Sequence, residues 1–154
     1  MRECDLNVMV ADTVQYYRAR LPFEGQGTQI LISAGDIPPV RLNPELFSWV
    51  LENLIKNSLQ AVDPKSGQVT VTTAISADRR TVALDISDNG RGIPPGATKK
   101  IFHPGFTTKK RGWGMGLTLV KRIVEEYHVG RIQLLRSQPG DTVFRVTLPI
   151  SGGK

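Results

Sequence analysis

The chain has 154 residues, 40% of them hydrophobic and 22% charged, which is the composition of a folded globular protein with one real core. Its formal charge is +6, from 20 basic and 14 acidic residues, and its single cysteine and two histidines exclude a disulfide framework or a cysteine zinc cluster. No apolar run approaches the ~20 residues needed to cross a bilayer, and acids stand where a signal peptide would be apolar, so a cytoplasmic protein is expected.

Residues 5–20 read as a helix, with Asp5 as cap and Leu6, Val10, Val14 and Tyr17 at helical spacing. A turn at 25–28 leads to a strand at 28–34. The stretch around Pro38 and Pro39 reads as a loop that cannot be helical before Pro44. Asn43 then caps a second helix, with Pro44 at its first position, running to about Val62. Residues 68–76 and 81–87 alternate and form a hairpin. Residues 89–114 lack periodicity and are too long for a plain connection, which marks a functional loop. A third helix starts near Met115, carries Leu117, Val120, Ile123, Val124 and Tyr127 on one face, and stops at Gly130. A last hairpin spans 131–137 and 142–150. This order predicts one α+β domain over residues 1–154, a two-layer α/β sandwich with a mixed sheet and its helices packed on one face.

The charge is localised. Between Asn89 and Val124 lie eight basic residues, no acid and seven of the 15 glycines; the remainder has 12 basic and 14 acidic residues. Cations and backbone amides concentrated in one loop suit an anion. Nucleic acid is the rival explanation, but it predicts interleaved aromatics, and Phe102, Phe106 and Trp113 do not decide it.

Three motifs carry chemistry. Asn53 and Asn57 share a helix face, at the edge of an apolar arc spanning about 60° to 200° from Asn53. Such amides look over a cleft, and Asn57 can offer an oxygen to Mg²⁺; a boundary Asn can equally bond a neighbouring loop. Asp88, Gly90 and Gly92 follow a strand directly. Asp88 can accept from an exocyclic amine such as adenine's, Ile93 can cover a ring face, and the glycines let backbone approach a flat ligand; alone, the segment also reads as an Asx turn. Gly112, Gly114 and Gly116, with Met115 and Leu117, open a helix whose free amides suit phosphate, behind Lys109, Lys110 and Arg111. The spacing fits neither a Walker loop nor a dinucleotide fingerprint.

In this order, with Phe102 to Phe106 between the last two, the motifs resemble the GHKL ATPase superfamily, most closely the catalytic and ATP-binding domain of sensor histidine kinases. Glu52 to Ser58 match the family's N box, Asp88 to Gly92 its first glycine box, and Gly112 to Gly116 its second; Gly140 to Phe144 and Leu148-Pro149 match its closing pattern. The resemblance covers nearly the whole chain. It implies the Bergerat fold and bound Mg-ATP, with adenine against Asp88 and the phosphates under a mobile lid, residues about 98–114. It implies Asn57 as the Mg²⁺ ligand, Asn53 as the second N-box amide, Thr142 beside adenine, and Thr107, Thr108 and Lys109 near the phosphates.

Within the superfamily, the ATPases carry a water-activating Glu four residues before the metal Asn. That position here is Asn53, and Glu52 points about 100° away. The site therefore reads as a kinase that transfers the γ-phosphoryl to a histidine, with a GHKL serine kinase of the anti-sigma type or a GHKL ATPase as alternatives. The acceptor is not in the chain: His103 precedes Pro104 and His128 precedes Val129, and neither has the neighbouring acid of a family acceptor. His103 reads as a loop residue and His128 as a charged cap compensating a helix dipole. The chain thus reads as a fragment or a stand-alone catalytic module. Its expected partners are a separate phosphoacceptor helical hairpin and, downstream, a response regulator; no nucleic acid is expected, and a membrane only through parts of a parent protein.

Overall fold

The computed structural model describes residues 1–21, 27–103 and 116–150. Helix α1 (Leu6–Arg18) begins where the Asp5 carboxylate accepts from the Val8 N–H at 3.2 Å, and it buries Leu6, Val10 and Val14. Helix α2 (Pro44–Ala61) begins where the Asn43 side chain accepts from the Leu46 N–H, and it buries Phe47, Val50, Leu51, Leu54, Ile55 and Ser58.

Five strands form the main sheet: β2 (Gln29–Ser33), β4 (Gln68–Ile75), β5 (Thr81–Asp88), β6 (Arg131–Gln138) and β7 (Asp141–Pro149). Their order is β2-β4-β5-β7-β6, antiparallel except for the β2–β4 pair. Side chains alternate across each strand, so Val69 and Val71, Val82, Leu84 and Ile86, and Phe144, Val146 and Leu148 line one face against the helices. The mixed α+β sandwich expected from the sequence is the fold. On the other face Arg145 grips Asp85 through two hydrogen bonds of 2.7 and 2.8 Å.

Two expectations need correction. The segment before Pro44 is not all loop: β1 (Arg2–Cys4) pairs antiparallel with β3 (Val40–Leu42) in a separate two-stranded sheet. Val40 and Leu42 are fully buried, but three residues are too few for their alternation to stand out beside two prolines. The third helix is regular only over α3 (Gly116–Arg122) and then widens into a π-turn, Ile123–Tyr127. A π-turn holds one more residue than an α-turn. The buried face therefore passes from Tyr127, which is 54% exposed, to His128, which is 4% exposed.

His128 is consequently no charged cap. Its Nδ1 lies 2.8 Å from the Ile123 carbonyl oxygen and its Nε2 accepts from the Asn43 N–H at 3.1 Å. One nitrogen must donate and the other accept, which is the neutral tautomer. The ring also packs edge-on against Phe47, so it fastens the end of the α3 segment to the start of α2.

Candidate functional site

Asp88 is the last residue of β5 and continues the inward phase of Val82, Leu84 and Ile86. Alternation thus delivers a carboxylate to the end of an apolar row, where it is only 7% exposed. Its Oδ1 accepts from the Gly90 N–H at 2.9 Å. Burial pushes the carboxyl above its ordinary 3.8; the Gly90 and Ser58 hydrogen bonds and the Arg91 charge oppose the rise, and Asp141 adds to it. The Gly90 N–H occupies one acceptor site, and the remaining lone pairs of the carboxylate are left as acceptors.

The loop after Asp88 is tied down on three sides. The Arg91 N–H donates to the Ala61 carbonyl at the end of α2, Asn89 bonds Gln68 and Ser66, and the Gly140 N–H donates to the Gly90 carbonyl. Gly90 lies so close to Ala61 that a Cβ would stand 2.7 Å from the Ala61 carbonyl carbon. Gly92 has φ +80, and a Cβ there would lie 3.0 Å from the Gln138 carbonyl carbon. Ile93, half-buried against the core, donates its N–H to Ser137 Oγ at 2.7 Å.

Thr142 stands directly opposite Asp88 in the β5–β7 register and is 3% exposed. Its Oγ1 lies 3.4 Å from Ser137 Oγ. A register shift between Leu134 and Arg136 makes this possible. The extra residue exchanges the faces, so Arg136 turns to solvent and pairs with Asp141, while Ser137 meets Thr142.

Asn53 and Asn57 are half-buried on α2. Asn53 donates to the Trp49 carbonyl at 2.8 Å, and its Oδ1 lies 3.3 Å from where a Cβ on Gly116 would stand, so it abuts the start of α3. Leu117 is half-buried against the core. Glu52 is exposed; its backbone carbonyl accepts from the Tyr17 hydroxyl at 3.4 Å, and the Tyr17 phenol is raised by burial first and by the Glu52 charge second.

The structure therefore gathers Asp88, Gly90, Gly92, Ile93 and Thr142 at one end of the sheet, and sets Asn53 beside Gly116. Thr107, Thr108, Lys109, Gly112, Gly114 and Met115 lie outside the described residues. The leading edge of the expected lid is anchored. Ile101 is 3% exposed, Phe102 packs edge-on against Phe144, and the Thr118 hydroxyl donates to the Phe102 carbonyl. Ile101 and Phe102 in this segment thus pack into or against the core. Sequence reasoning missed Ser58 and Ser137. Ser58 was detectable, because a polar residue at about 140° sits in the middle of the apolar arc of α2; Ser137 was not, because the bulge sets its direction.

A buried carboxylate at the end of the sheet, with a glycine loop pressed on a helix end, suits a nucleotide. Residues 43–152 match the family described as histidine kinase-, DNA gyrase B- and HSP90-like ATPase, and the chain belongs to that family. The sensory histidine kinase/phosphatase NtrB of Salmonella typhimurium is 34% identical over 122 residues, which are 74% of this chain and 34% of that protein. The sensor histidine kinase ZraS of Escherichia coli is 31% identical over 152 residues, 98% of this chain and 31% of that protein. The chain thus spans about a third of the length of these curated relatives. The catalytic domain of histidine kinase ThkA shares the fold, with a TM-score of 0.83 at 24% identity over 96% of this chain and 95% of that one; ThkA has also been solved in complex with the response regulator protein TrrA. Among the described residues no helix is long and apolar enough to cross a membrane.

Proposed function

We propose that this chain binds Mg-ATP between α2 and the loop after β5 and transfers the γ-phosphoryl to a histidine on a separate helical hairpin. Asp88 accepts the exocyclic amine of adenine, with Thr142 beside the ring and Ile93 over one face. Gly90 and Gly92 give the base its close approach. Gly112, Gly114, Met115, Gly116 and Leu117 belong to the phosphate end, together with Thr107, Thr108 and Lys109.

The donor set fits a magnesium ion. Among the described residues no cluster of three or more His, Cys, Asp or Glu forms a protein cage. Mg²⁺ prefers one or two protein oxygens, substrate phosphates and retained waters, so Asn57 alone from α2 would suffice to hold it. Bound there, the ion would neutralise charge developing on the phosphates.

The observation that carries the choice of a kinase is the residue one helical turn before Asn57. That residue is Asn53, an amide bonded to the Trp49 carbonyl, where a water-activating acid would be needed. A general base must lie within hydrogen-bond reach of the attacking group. With an amide at that position, no acid there activates water against the γ-phosphate before the histidine arrives. The names of the relatives support this reading, and the ThkA–TrrA complex supports a response regulator as the later phosphoryl acceptor.

The test is incubation with γ-labelled ATP, with and without a dimeric hairpin bearing the histidine. The expected result is slow hydrolysis at most and no label on this chain alone, then acid-labile label on the hairpin. Fast turnover without acceptor, or acid-stable label on a partner, would overturn the assignment.

A further inference from the structure

The Ser137 hydroxyl meets two polar groups among the described residues. Its oxygen accepts from the Ile93 N–H at 2.7 Å, and it lies 3.4 Å from Thr142 Oγ1. The bulge of β6 sets Ser137 directly opposite Thr142, and Thr142 in turn stands opposite Asp88. Two hydroxyls and a buried carboxylate therefore follow one another across β6, β7 and β5, with Thr142 3% and Asp88 7% exposed.

The direction of the protons along this row follows from its β6 end. A backbone N–H only donates, so Ser137 receives from Ile93. A hydroxyl that already accepts is polarised into a better donor, and Thr142 Oγ1 is the acceptor that Ser137 meets. Thr142, accepting from Ser137, keeps its own proton for a ligand. The row then offers a donor, Thr142, beside an acceptor, Asp88. A 6-aminopurine presents the complement: an amine that donates next to a ring nitrogen that accepts. A 6-oxopurine presents the reverse, a carbonyl next to a ring N–H.

From this geometry we infer that Ser137 is a positioning residue that sets the base selectivity of the site, by holding the Thr142 hydroxyl as a donor towards adenine nucleotides and against 6-oxopurine nucleotides. The inference rests on the adenine reading proposed above. At 3.4 Å the two hydroxyls are further apart than the ~2.7–2.8 Å of a strong O–H···O bond. A ring nitrogen that takes the Thr142 proton makes its oxygen a stronger acceptor and draws the pair together. Without the Ser137 hydroxyl, Thr142 is free to turn and accept, and the ring N–H of a 6-oxopurine is no longer opposed by a donor.

The experiment measures ADP and inosine diphosphate affinities calorimetrically, in excess EDTA so that the metal plays no part. The proteins compared are the wild type, Ser137→Ala, Ser137→Thr, Ser137→Cys, Thr142→Val and the double variant Ser137→Ala/Thr142→Val, with the melting temperature of each recorded. The expected result is a clear ADP preference in the wild type. Ser137→Ala should lose about fivefold in ADP affinity, the size of one neutral hydrogen bond, with little change for inosine diphosphate. Ser137→Thr, which keeps the hydroxyl, should retain the preference. Ser137→Cys, a weak donor, should fall between and serves if alanine fails to fold. In the Thr142→Val background Ser137→Ala should leave the ratio of the two affinities unchanged, because the residue it acts through is gone.

A merely structural serine would lower the melting temperature and weaken both nucleotides alike, and that outcome overturns the inference. So does a loss of preference of the same size with and without the Thr142 hydroxyl. An unchanged preference in both Ser137→Ala and Ser137→Cys also overturns it and leaves the adenine reading standing. A wild type that binds inosine diphosphate as well as ADP, or binds neither, overturns the adenine reading and this inference together.

Discussion

Gly90 rests directly on Ala61: a side-chain carbon on the glycine would meet the carbonyl that closes α2 and would stand 2.9 Å from Asp88 Oδ1. The obstruction is backbone and cannot swing aside. Gly90→Ala should therefore cost about 3 kcal/mol of stability. It should also displace Asp88, weakening ADP binding beyond what the lost stability explains. Urea denaturation and calorimetry at a temperature where the variant is folded measure the two effects separately.

Gly92 and Gly140 separate strain from crowding. Both have left-handed φ, +80 and +88, but a Cβ on Gly92 meets the Gln138 backbone whereas one on Gly140 meets nothing within 4 Å. Gly140→Ala should cost only the left-handed penalty, about 1–2 kcal/mol. Gly92→Ala should cost more, and only Gly92→Ala should perturb nucleotide binding. Equal denaturation midpoints for the two variants would contradict this.

Asp88 sets stability against function. Below pH 3.8 its carboxyl is protonated in both folded and unfolded chains. Between 3.8 and its raised folded pKa, the folded chain holds the extra proton, so stability falls as pH rises through that window and stays lower above it. Asp88→Asn removes this cost and should raise the denaturation midpoint of the nucleotide-free chain at pH 7. The same change adds a donor where adenine needs an acceptor, and ADP affinity should drop at least about tenfold.

His128→Phe tests the correction to the helix end. A dipole cap would be worth about 1 kcal/mol or less and would fade with salt. Loss of the ring leaves the Asn43 N–H without its partner, which should cost about 1–3 kcal/mol independently of salt. Urea denaturation at low and high ionic strength distinguishes the two.

Periodicity made α1, α2, β4, β5 and β7 legible, because each keeps one phase for its whole length. Asp88 was legible for the same reason, as the next inward position after Ile86. The family motifs added the glycines and Thr142. What was hidden depends on breaks in phase. The π-turn exchanges Tyr127 for His128, and the bulge near Leu135 exchanges Arg136 for Ser137. Neither break leaves a mark in composition, since each is decided by packing against a strand or helix distant in sequence. The pairing of β1 with β3 was hidden for a related reason: two three-residue strands are specified by each other and not by their own pattern.

Helix α2 joins the two ends of the molecule. At its start the Asn43 N–H is held by His128; at its finish the Ala61 carbonyl receives the Arg91 N–H beneath the glycine loop that follows Asp88. Its 18 residues span about 27 Å without an internal glycine or an interior proline. An unbroken helix resists compression and bending, so it works as a pushrod. A shift of the β1–β3 end would reach the cleft as a movement of the whole helix, carrying Asn53, Asn57 and Ser58 in step.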